Sequence, residues 1–163
     1  MWKWGTLLSI FFMAVSFYPV DRLEVRSAGG GGVLLGERVS PGEGFQFSYL
    51  HSVDRTPVTG YFLITPAKRI KPAETRFESF GPGLPSLERG LKAEGRSFYV
   101  KTDGGEMDRF SFFVSPMTQQ VFQFRDRRLN FSSFREGEVV TVSVRSYPLI
   151  WEALIQRWKT RRP

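Results

Sequence analysis

The chain has 163 residues, and its 23 lysines and arginines outweigh 16 acids to leave a formal charge of +7 and a sequence pI near 10. That length fits one domain with a real core, and 16 phenylalanines in a chain that is 41% hydrophobic argue for a folded body. The absence of cysteine excludes disulfides, iron–sulfur clusters and cysteine-rich zinc sites, while the basic surplus favours nucleic acid, anionic lipid headgroups or carboxylate ligands as partners.

The first segment, "MWKWGTLLSIFFMAVSFYPV", carries one lysine, Lys3, and no charge from Gly5 to Val20. A helix of this length falls slightly short of a ~30 Å hydrocarbon core, which Trp2, Trp4 and Tyr18 extend as interfacial anchors. It reads as a membrane anchor over residues 1–20. The competing readings are a cleaved signal peptide, with Ala14 and Ser16 meeting the small-residue rule for cleavage, and a buried core helix. Both exported readings put the remaining body outside the cytosol.

Residues 21–147 read as an all-β domain. "RLEVR" alternates, "GGGG" makes a turn, and Val33 to Leu35 resumes an apolar run. Phe45, Phe47, Tyr49 and His51 fall at period two. Val58 to Thr65, Ser97 to Lys101, Arg109 to Val114, Gln120 to Phe124 and Val139 to Arg145 continue the pattern. Between them stand the breakers "SPGEG", "TPAKRIKPAE", "GPGLPS", "DGGE" and "REGE". Short strands separated by Gly/Pro turns predict a small antiparallel barrel or sandwich. Residues 148–163 read as a short amphipathic helix with a basic end. Trp151, Leu154, Ile155 and Trp158 lie at i, i+3, i+4 and i+7, as an interfacial element or as a lid on one barrel end.

The only histidine lies in "SYLHSVDRTPVTGYF". A Ser-His-Asp reading of "HSVD" fails, because on a strand His51 and Ser52 point to opposite faces, and no "GxSxG" turn occurs. One histidine with scattered acids is no spaced metal-ligand set. No enzyme, metal or cofactor is expected. His51, Ser52, Asp54, Arg55 and Thr56 instead suggest a polar patch at a barrel mouth, with Arg55 able to fork onto a carboxylate. The bland alternative is that they satisfy loop backbone groups. A second polar cluster, "AETRFESFGPGLPS", places Glu74 and Arg76 beside a rigid loop containing Gly81, Gly83 and Pro85.

The pair "HSVDRTPVTGYF" and "ETRFESFGPGLP" resembles a small uncharacterised exported domain family found beside TAXI-type TRAP transporters. The resemblance runs from about Phe45 to Val144 and includes the "EGE" turn at Glu136 to Glu138. It implies a membrane-associated accessory to a solute transporter, with its β body on the extracytoplasmic side of the cytoplasmic membrane. His51, Ser52, Asp54, Arg55, Thr56, Pro57, Glu74, Gly81, Gly83 and Pro85 are its motif positions. It carries over no catalytic residue. This chain departs from the pattern at Gly60, where an acid able to pair with Arg55 or His51 is expected.

Three functional readings follow. The first is a non-enzymatic accessory or small subunit that contacts the transporter's membrane subunits or its solute-binding protein, with Trp2, Trp4, Trp151 and Trp158 facing membrane. The second is an exported solute-binding or sensing module for an anionic small molecule, using His51, Arg55, Glu74 and Arg76. The last is a nucleic-acid-binding barrel, suggested by 17 arginines interleaved with aromatics, as in "VFQFRDRRLNF". An exported body meets no cytosolic nucleic acid, and Asp126, Glu136 and Glu138 interrupt the basic run, so no nucleic-acid partner is expected.

Overall fold

A computed structural model describes residues 13, 15–30, 32–79, 91–95, 97–102, 104–152 and 154. They form eleven strands: β1 (Pro19–Ser27), β2 (Gly32–Arg38), β3 (Gly44–Leu50), β4 (Pro57–Ile64), β5 (Ile70–Phe77), β6 (Leu91–Glu94), β7 (Ser97–Lys101), β8 (Arg109–Phe113), β9 (Val121–Phe124), β10 (Arg127–Asn130) and β11 (Val139–Pro148). A 3-10 turn, Pro116–Thr118, separates β8 from β9. Every strand pairing is antiparallel.

The strands divide into two sheets, ordered β2-β1-β11-β8 and β10-β9-β3-β4-β5-β7-β6. The barrel expectation is corrected: the described strands form no closed barrel, and the two sheets remain separate. Period-two alternation supplies each sheet with one apolar face. Leu23, Val25, Val140 and Val142 of the small sheet pack in one cluster with Phe45, Ile64, Phe122 and Phe124 of the large one. Aromatic rings join the layers. Phe47 of β3 meets Phe112 of β8 at 4.4 Å and Phe110 at 5.2 Å, and Phe62 of β4 meets Phe110 at 4.9 Å. A smaller cluster of Val58, Phe77 and Val100 lies further along the large sheet.

Two strands, β6 and β10, fall where no strand is expected, and β5 extends the strand-like run at Glu74 to Arg76 back into the segment "TPAKRIKPAE", expected as a breaker. β5 contains Pro72, which has no N–H to donate. The register slips between Tyr61 and Phe62 so that Pro72 stands opposite Phe62 and Glu74 opposite Tyr61.

The end of the small sheet is defined by the pair Pro19–Pro148 at the start of β1 and the close of β11. The β4–β5 turn lies at this end, where Lys68 pairs with Asp21 at 2.9 Å. So does the chain entering β3. There Glu43 accepts hydrogen bonds from the Ser40 amide at 2.7 Å and the Arg125 Nε at 3.0 Å. Burial alone would push the Glu43 carboxyl up, but the Arg125 and Ser40 hydrogen bonds outweigh it and hold its pKa below the ordinary carboxylate value. A folded-state pKa below the unfolded one means that this stability is present at neutral pH. It is lost as pH falls below the normal carboxylate range. Glu43→Gln should therefore flatten the acid limb of the stability–pH curve, read by thermal unfolding between neutral and acid pH.

Residues 13, 15 and 16 are helical before β1, and residues 149–152 and 154 are helical after β11. The Leu149 amide donates to the Tyr18 carbonyl at 2.9 Å, tying the two segments together. No helix among the described residues is long and apolar enough to cross a membrane. Most of the expected anchor, with Trp2 and Trp4, lies outside the described residues, as do Gly81, Gly83, Pro85 and Trp158.

Candidate functional site

β3 and β4 pair from Gly44–Leu63 to Leu50–Pro57, so residues 51–56 form the loop at the tip of this hairpin. His51 is buried, its amide donating to the Thr56 carbonyl at 2.8 Å and its carbonyl accepting from the Arg55 amide at 2.9 Å. Arg55 takes a left-handed conformation, φ 58°, and its guanidinium donates to the Met117 carbonyl at 2.8 Å. Asp54 accepts from the Ser79 hydroxyl at 2.7 Å and lies 3.8 Å from His51 Nδ1. Thr56 and Ser79 hydroxyls share a hydrogen bond of 3.1 Å. The loop thus uses its polar groups to close on itself and onto two neighbouring segments. Ser52 is exposed, and Pro57 opens β4 at the solvent.

Beside this loop stand two exposed apolar side chains, Val53 within it and Met117 in the turn that Arg55 clasps; Phe113, also exposed, ends β8 and alternates with the inward Phe110 and Phe112. Phe113's carbonyl accepts from Gln120, just ahead of Val121, which pairs with Ser48 of β3. Sequence periodicity gives no sign of the Val53–Met117 grouping, because its members come from separate segments.

Glu74 and Arg76 pair on β5. Arg76 donates to Glu74 at 2.7 Å, and its guanidinium lies over the rings of Tyr61 at 5.2 Å and Tyr99 at 6.0 Å. These contacts sit on β4, β5 and β7, where Arg76 stands opposite Thr59, two residues past Pro57, and the same segment runs on to Ser79 against the hairpin-tip loop.

Gly60 explains its own departure from the expected acid. A Cβ at this position would stand 3.0 Å from the Phe62 ring, which itself stacks on Phe45 at 4.9 Å. An acid here would point at packed aromatics, not at Arg55 or His51. Gly60→Asp is expected to destabilise the protein by about 1–3 kcal/mol through displacement of the Phe62 ring. Gly60→Ala isolates the steric part, and both are read by denaturant unfolding.

The densest charge lies on the outer face of the small sheet. Register aligns Arg38, Arg22 and Arg145 in one row across β2, β1 and β11. Like charges directly opposite one another are unfavourable unless neutralised. Glu152, from the C-terminal helical segment, is wholly buried over this row and pairs with Arg22 and, at 3.2 Å, with Arg38. Arg22 also donates to the Gly36 carbonyl. One step along β1, the buried Glu24 takes Arg26 at 2.8 Å and faces Arg145 at 3.8 Å. The Glu24 hydrogen bond raises the Arg26 pKa further. The alternation in "RLEVR" signals an outward Arg22, Glu24 and Arg26, but not that a distant glutamate covers them.

Two cavities are described, and neither is at the hairpin tip. One of about 500 Å³ opens between β2 and the β9–β10 hairpin and includes Glu37, Arg127 and Arg128. The other, about 340 Å³, lies on the large sheet between Leu63, Lys71 and Lys101. Among the described residues no cluster of three or more His, Asp or Glu side chains is placed to hold a metal ion.

No curated protein and no solved structure matches the chain. A family profile, Domain of unknown function (DUF1850), matches residues 45–131, from the start of β3 to just beyond β10. That span holds the hairpin-tip loop, Gly60, Glu74 and Arg76, and covers more than half of the sequence: this chain belongs to the DUF1850 family.

Proposed function

We propose that this chain is a non-enzymatic, membrane-anchored accessory protein or small subunit of a TAXI-type TRAP solute transporter, with its β domain on the extracytoplasmic side. The link to the transporter rests on the resemblance of the two motif segments. The observation that carries the mode of action is the hairpin tip. His51, Asp54, Arg55 and Thr56 brace a rigid loop, and Val53 with Met117 beside it gives an exposed apolar surface. A braced loop with apolar side chains turned outward suits docking to a protein partner better than transforming a substrate. Crosslinked co-purification of the full-length chain from native membranes tests this. Recovery of the transporter's membrane subunits or binding protein, reduced by Asp54→Ala and by Met117→Ser, supports the reading. Recovery of the chain alone defeats it.

The alternative, an exported module for an anionic small molecule, draws on the cavity beside β2, where Arg127 and Arg128 face an open space of about 500 Å³. Titration calorimetry with small carboxylates would register it, and Arg128→Gln should weaken any such binding.

A further inference from the structure

The C-terminal helical segment is built the wrong way round for water. Its charged residue, Glu152, is fully buried, whereas Ile150, Trp151 and Leu154 are 48%, 58% and 53% exposed. A helix end docked on a domain in water ordinarily buries the apolar residues and exposes the acid. The segment before β1 repeats the pattern, with Met13, Phe17 and Tyr18 each about two-thirds exposed. The Leu149–Tyr18 hydrogen bond and the Pro19–Pro148 pair bring both sets to one end of the sandwich.

The charges beside them are sorted in the same sense. Lys68, Arg38 and Arg145 are 44%, 54% and 56% exposed, while their acidic partners Asp21, Glu152 and Glu24 are only 20%, 0% and 4% exposed. In these three pairs the acid is covered and the base exposed, whereas Arg22 in the same row is buried beneath Glu152. The hairpin tip lies at the other end of β4, an eight-residue strand, roughly 25 Å away.

We infer that this end is a two-legged platform for an anionic lipid surface: Phe17, Tyr18, Ile150, Trp151 and Leu154 enter the interface together, and Lys68, Arg38 and Arg145 meet the headgroups. Aromatic and aliphatic side chains flanked by bases are the composition that binds such surfaces. The inference deepens the membrane-anchored reading and rests on it. It fixes the orientation too, because the hairpin tip then points away from the bilayer.

The chain lacks cysteine, so single substitutions Ile150→Cys, Leu154→Cys and Val53→Cys can each carry an environment-sensitive dye on the full-length protein. The proteins are reconstituted into phosphatidylcholine vesicles with and without phosphatidylglycerol, with brominated acyl chains as quenchers. The expected result is a blue shift and quenching at 150 and 154, stronger with phosphatidylglycerol and reduced by Lys68→Gln, with neither at 53. Water-like emission at 150 and 154 in vesicle-bound protein overturns the platform. A blue shift without lipid quenching also overturns it, since a second copy or another protein then covers this face. Quenching indifferent to phosphatidylglycerol overturns the anionic selectivity. Partner recovery by crosslinking is read separately, so the platform and the transporter reading can fail independently.

Discussion

Glu152→Ala should lower the unfolding free energy by about 3–5 kcal/mol, a fall of roughly 6–20 °C in thermal midpoint for a domain of this size. The substitution leaves Arg22, only 2% exposed, without its carboxylate and beside Arg38 and Arg145 in the same cross-strand row. An uncompensated buried guanidinium is the costly species. The pair itself contributes far less, since both ions lost their hydration to form it. Arg22→Met combined with Glu152→Met should therefore recover most of the loss, and a double-mutant cycle measures the coupling. Arg22→Met alone should cost less than Glu152→Ala, because Glu152 retains Arg38 at 3.2 Å. A Glu152→Ala loss below about 1 kcal/mol would mean that the helical segment lifts and water reaches Arg22. Gly36→Ala probes the same network from below. Its Cβ would fall 2.9 Å from an Arg22 guanidinium nitrogen, so the arginine would have to move off Glu152.

Much of the fold was legible because the strands that carry it alternate cleanly. "VVTVSVR" became β11, the inner strand of the small sheet that pairs with both β1 and β8. The aromatic face of β3 became the core. What was not legible depends on distant partners. β5 hides behind Pro72 and a run of charges, and is a strand because a bulge against β4 absorbs the missing donor. The choice of two sheets over a closed barrel rests on which edges pair, and period two carries no information on that. The polar loop around His51 was visible as a motif, but its bracing by Ser79 and Met117 was not. The i, i+3 spacing of Trp151 and Leu154 predicts one apolar side of a C-terminal helix, but periodicity cannot say whether that side faces the domain or away from it. Only the burial of Glu152 decides that.

The two hydrophobic clusters should respond differently to the same deletion. Phe45→Ala is expected to cost about 3–5 kcal/mol, shown as a lower denaturant midpoint with the slope unchanged. Phe45 is 2% exposed, stacks on Phe62 at 4.9 Å and meets Phe122 at 5.0 Å. Its cluster takes side chains from both sheets, so the void weakens the contact between layers and the whole domain feels it. Phe77 is as deeply buried, but its cluster holds only Val58 and Val100 as further buried members, with Tyr49 and Phe98 packed alongside. All five come from the large sheet. Phe77→Ala should therefore lose amide protection chiefly in β5, β7 and β6, leaving β1 and β11 protected, as hydrogen exchange would show. Equal loss of protection across both sheets would mean that the outer strands of the large sheet unfold only with the entire domain. The tilted Phe47–Tyr49 contact at 6.1 Å, which links the two clusters along β3, would then be the joint that couples them. Phe47→Leu, which removes the ring and keeps the burial, separates these cases. It should uncouple exchange in the outer strands from exchange in the core if Phe47 transmits the load.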